Sequence, residues 1–130
     1  MKLSDQVIPL DQAKRLKELG IEQDSHFYWY KHSPTDESIT WLASHTDYEG
    51  EPIASAFTVA ELGVMLPSET LTIRRGSEDS AYPNWEWEDE GNEQAFGLYA
   101  SEAEARAAML IHLLENNLIT PAEANKRLAE

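Results

Sequence analysis

There is no cysteine anywhere in the chain. This excludes disulfides, thiolate nucleophiles and cysteine-ligated zinc or iron–sulfur centres, and leaves histidine and carboxylates as the only side chains able to hold a metal. Basic residues are sparse as well. Ten Lys and Arg face 24 Asp and Glu, for a net charge of −14, and no base lies between Lys31 and Arg74 or between Arg75 and Arg106. Such a chain repels a phosphate backbone, so direct nucleic-acid binding is not expected. Long apolar runs are also missing. The most apolar stretch, residues 109–114, is interrupted by His112, far short of the ~20 residues a membrane span needs. A soluble protein without membrane contact is expected. Lys2 is followed by Ser4, Asp5 and Gln6 rather than an apolar segment with a cleavage site, so no secretory signal is visible and the cytoplasm is the expected compartment. Finally, G-x-S-x-G, the P-loop, G-x-G-x-x-G and H-E-x-x-H do not occur, each absence lowering the case for an enzyme.

What is present fits one core: 130 residues, 42% of them hydrophobic. The acidity is concentrated in the middle, since residues 1–20 sum to +1, residues 21–100 to −13 and residues 101–130 to −2. Periodicity predicts a first helix over 9–19, with Leu10, Ala13, Leu16 and Leu19 on one stripe, Gly20 as its left-handed stop and Ile21 returning to touch Leu16. Residues 26–32 (HFYWYKH) read as a strand that pairs through the polar loop at 33–37 with Ile39–Ala43 as a hairpin. A short strand at IASAF leads into a helix capped by Thr58 and Glu61, stapled by Phe57 on Leu62 and closed by Pro67. Leu71–Arg74, Asn84–Asp89 and Gln94–Tyr99 alternate as strands, the last two joined by the turn EGNE. Ser101 and Glu104 open the strongest helix, with Ala103, Ala107, Leu110, Ile111 and Leu114 facing the core. Asn117 ends it, and Thr120, Pro121 and Glu123 start a terminal helix. The order predicts a single α+β domain over 1–130, with a mostly antiparallel sheet of four or five strands and helices packed on one face.

The segments LDQAKRLKELGI, ASAFTVAELGVMLP and YASEAEARAAMLIHLLENNLI, with the aromatic strand between the first two, resemble a group of small bacterial proteins often found in phages, prophages and mobile elements. The likeness covers most of the chain and is architectural: a helix ending in Leu-Gly, a Thr-capped central helix, and a capped C-terminal helix after a strand. It implies fold order and a mobile-element context, and no activity or functional residue.

Four histidines are the first candidates for chemistry. His26 and His32 could share a strand face, but six residues separate them by about 20 Å, too far for one metal. His45 stands near Asp47 and Glu49, and together with a strand histidine it could bind a metal after folding and serve a small metal-dependent hydrolase. His112, beside Leu113 and Leu114, reads as a half-buried helix residue satisfied locally. The segment WEWEDEGNE, residues 85–93, carries five carboxylates and no base, and it is too short for an EF-hand. Its alternation predicts Trp85 and Trp87 buried and Glu86 and Glu88 facing water. Trp29 and Trp41 are likewise expected in the core rather than on a stacking surface. The leading functional expectation is a non-enzymatic interaction module, free of cofactor and metal. Its acidic centre, with Glu86, Glu88, Asp89 and Glu90 as the candidate binding residues, would dock on a basic protein, in one version by imitating a row of phosphates. The metal-dependent hydrolase at His45 and a structural accessory whose acidity only maintains solubility are the alternatives.

Overall fold

The computed structural model describes residues 2–33, 36–44, 51–68, 70–75, 84–89 and 99–130. The described residues form an α+β structure with four α-helices and antiparallel strand pairing. Helix α1 spans Leu10–Glu18, α2 Val59–Met65, α3 Glu102–Glu115 and α4 Pro121–Ala129. The strands are β1 (Phe27–Ser33), β2 (Asp36–Ser44), β3 (Pro52–Ser55), β4 (Thr70–Arg75) and β5 (Asn84–Asp89). Among the described residues these form two sheets, β2-β1-β3 and β4-β5, rather than the single sheet expected. The strand expected at Gln94–Tyr99 and its turn lie outside the described residues, apart from Tyr99.

Local chemistry decides the helix ends. Gly20 has φ +94°, the Ile21 N–H donates to Leu16 O at 3.1 Å and the Gly20 N–H to Lys17 O at 3.2 Å, completing a Schellman motif. The same motif recurs after α3 on an asparagine: Asn117 has φ 55°, with Leu118 donating to Leu113 O at 2.9 Å and Asn117 to Leu114 O at 3.2 Å. At the other ends, the hydroxyls of Thr58, Ser101 and Thr120 accept the backbone N–H groups of Glu61, Glu104 and Glu123. The Thr58 box is reciprocal, because Glu61 Oε1 accepts from the Thr58 N–H at 3.0 Å. At Ser101 the return bond slips by one residue, and Glu104 Oε2 accepts from Ala100 instead.

Strand β1 is central to its sheet. Trp29 sits opposite Leu42 on β2 and Ala54 on β3, and this face meets the helices: Trp29 and Ala54 pack in the cluster formed by Ile8, Leu16, Phe57, Leu62, Met65 and Leu110, among others. Complete burial of such side chains contributes about 1.5–3 kcal/mol each. The Trp29 indole N–H donates to Ile8 O at 2.9 Å, so its polar edge is also satisfied. Helix α3 runs through the middle, buried at Ala103, Ala105, Ala107, Met109, Leu110, Leu113 and Leu114, a wider face than the expected stripe because α1, α2 and the β4-β5 pair all pack on it.

Helix α2, only seven residues long, is held by two arginines from later helices. Arg106 of α3 donates to Val59 O at 2.9 Å and to Glu102 at 3.1 Å, while Arg127 of α4 donates to Met65 O at 3.1 Å. Gly63 leaves room for the first of these, since a Cβ there would collide with the Arg106 guanidinium. The second places a cation where the helix leaves its carbonyls unsatisfied.

Candidate interaction surface

Three of the four candidate acids, Glu86, Glu88 and Asp89, lie on β5, and Glu90 lies outside the described residues. The antiparallel register sets Thr70 opposite Asp89, Leu71 opposite Glu88, Ile73 opposite Glu86, Arg74 opposite Trp85 and Arg75 opposite Asn84. Strand geometry repeats every two residues, so Glu86 and Glu88 share one side of the ladder about 7 Å apart, and Trp85 and Trp87 share the other. Pairing also alters the local charge balance. The only two bases of the central region besides Lys31 are brought to one end of this ladder, with Arg75 on the diagonal from Glu86, while Glu88 and Asp89 stand toward the end away from both arginines.

His26 is exposed, and its backbone N–H donates to Glu61 Oε2 at 3.2 Å; His112 lies half-buried on α3 with Nδ1 3.3 Å from Asn116 Nδ2. His45 lies outside the described residues. Among the described residues no three His, Asp or Glu side chains are grouped so that they could hold a metal ion, and no helix is long and apolar enough to cross a membrane.

The face of the β2-β1-β3 sheet opposite to Trp29 holds what the residue pattern concealed. Tyr30 sits opposite Trp41, one register step from the Trp29–Leu42 pair and therefore on the other side of the sheet. Tyr30 is buried, in edge-to-face contact with Tyr28 at 6.2 Å, and loss of hydration pushes its phenol above the usual tyrosine range, with the neighbouring Tyr28 adding to the shift. The Tyr28 hydroxyl donates to Gln23 O at 3.2 Å and accepts from the Ser25 N–H at 3.3 Å. Trp41, in contrast, is 48% exposed. The expectation of a core role is thus corrected: in β2 the more apolar alternate set is Ile39, Trp41 and Ala43, yet the register sets Leu42 opposite Trp29 and Trp41 opposite Tyr30. Only the cross-strand register carries that information.

A small pocket of about 170 Å³ lies between the end of α2 and α3, lined by Gly63, Leu66, Ser68, Thr70 and Arg106 among others. Its one charged side chain already donates to Glu102 and Val59, so the pocket is a by-product of the α2 clamp.

Compared with known family models, curated proteins and solved structures, the chain matches none. Kinship therefore supplies no functional residue, and the chemistry of the surface carries the functional reading.

Proposed function

We propose that this chain is a non-enzymatic protein-interaction module, an accessory protein of phage or mobile-element type, that docks through its acidic central region on a basic surface of a partner protein. The β5 register is the observation that supports this best. It sets Glu86 and Glu88 at a regular repeat along one side of a strand, with Asp89 following, in a region where residues 21–100 carry a charge of −13. A strand packed against α3 offers such charges at fixed spacing. An acidic field of this strength accelerates encounter with a basic surface more than it tightens the final complex.

The test is association kinetics with a basic partner captured from the source cell, at two ionic strengths. The variant carrying Glu86→Gln, Glu88→Gln, Asp89→Gln and Glu90→Gln keeps its fold and associates more slowly than the parent chain, and the parent loses its advantage as salt rises. Equal association rates for the two chains in all conditions would overturn the proposal.

A further inference from the structure

We propose that Lys17 and Gln23 form a gate on the outer edge of β3, occupying the backbone groups through which a strand of a second copy of this chain would extend the sheet. The placement of those groups follows from the pairing with β1. The Ala56 N–H donates to Phe27 O at 2.9 Å, and the register continues to Trp29 opposite Ala54. In an antiparallel ladder, residues that exchange bonds with the partner strand alternate with residues that do not, so Ser55, between Ala54 and Ala56, turns its N–H away from β1. Ile53 is the extra residue of a bulge, because Trp29 and Tyr30 are consecutive while their partners are Ala54 and Pro52, and it is likewise left out of the β1 ladder.

The outward groups of an edge strand are a template for pairing with another chain. Here both are taken by side chains. Ile53 O accepts from the Lys17 ammonium at 2.9 Å, and the Ser55 N–H donates to Gln23 Oε1 at 2.7 Å. Gln23 is anchored in turn, its side-chain amide donating to Ile21 O at 3.0 Å. The turn at Gly20 places both gate residues, since they stand on either side of it and the Gly20 N–H is bonded to Lys17 O. Two further features act in the same sense. Pro52 leaves the exposed end of β3 without a donor. Ser55 is fully buried, so a strand reaches its N–H only if Gln23 yields. Lysine suits the exposed half of the gate, because an incoming strand would have to bury its charge.

The same bonds tie α1 and the loop after it to the sheet, and the test separates a tie from a gate. It compares the full parent chain with Lys17→Met/Gln23→Leu by sedimentation velocity from micromolar to millimolar concentration, with circular dichroism as the check of fold. A tie alone lowers stability and leaves sedimentation unchanged. A gate predicts that the variant self-associates about tenfold more tightly than the parent, the freed backbone groups being bonded between copies. Loss of Lys17 makes a chain of net charge −14 one unit more acidic, so such association cannot come from relieved repulsion. Amide exchange locates the contact, the Ser55 N–H of the variant exchanging more slowly as concentration rises. A folded variant that sediments as the parent does at every concentration overturns the inference, and so does association that leaves Ser55 exchange unchanged. Should the double variant unfold, the exposed Lys17 decides alone: Lys17→Met associates more tightly than the parent while Lys17→Arg, which keeps a donor, does not, and equal behaviour of these two overturns the inference.

Discussion

Gly20→Ala probes the turn that joins α1 to the rest of the fold. Gly20 stands at φ +94°, where an L-residue bears a penalty of about 1–2 kcal/mol, and its added Cβ would lie 3.3 Å from Pro121 Cβ, the first residue of α4. Against this, alanine narrows the unfolded ensemble and returns about 0.4–1 kcal/mol. The net expectation is a loss of about 1 kcal/mol. Urea unfolding followed by far-ultraviolet circular dichroism should register it as a lower midpoint at unchanged slope, and thermal unfolding as a fall of about 3–5 °C for a chain of this size. Gly20→Asn provides the contrast. Asparagine tolerates the left-handed region, as Asn117 does at φ 55° after α3, but it carries the same Cβ toward Pro121. Asn should therefore cost less than Ala by several tenths of a kcal/mol. A midpoint for Gly20→Ala equal to or above that of the parent would refute the reasoning, and equal losses for Ala and Asn would refute the backbone share of it.

Two further predictions concern stability, beside the binding tests given above. Ser101→Ala leaves the Glu104 N–H without its acceptor and should cost about 1 kcal/mol in chemical denaturation, an unchanged midpoint arguing against that cap. Tyr30, whose phenol is pushed upward by burial, keeps its proton in the folded state at pH values where the unfolded chain has begun to lose it. Stability should therefore fall as pH rises above about 10, and Tyr30→Phe should flatten that part of the pH–stability profile; an unchanged slope in the variant would place the effect elsewhere.

The parts of the fold that were legible in the residues are those set by neighbours in sequence. Gly20, Thr58, Ser101, Asn117 and Thr120 act within one helical turn, and each stands where its chemistry predicts. Strand β5 begins and ends as its alternation indicates. What was not legible depends on partners distant in the chain. The placing of β3 on the free side of β1 and the division of the described strands into two sheets follow from which strands pair, and the exposure of Trp41 follows from register, which periodicity of 2 leaves open by one step. The candidate acids were visible as a composition feature, and the placing of Glu86 and Glu88 at alternate positions of β5 follows from their strand. The approach of Arg75 to the diagonal of Glu86 needed the pairing of β4 with β5.

The two arginines that grip α2 bear on the order in which the molecule assembles. A seven-residue helix is below the length at which propagation repays nucleation, so α2 has little reason to persist before it is packed. Its carbonyls at Val59 and Met65 are bonded by side chains that lie 47 and 62 residues later in the chain. During synthesis the first half of the protein therefore leaves the ribosome with its capping box written but its central helix unsupported, and Phe57, Leu62 and Met65 find their burial only when α3 and α4 arrive. Contacts of such long separation slow folding and make it concerted rather than stepwise along the chain. A chain of net charge −14 repels its own copies, which works against self-association before that packing is complete.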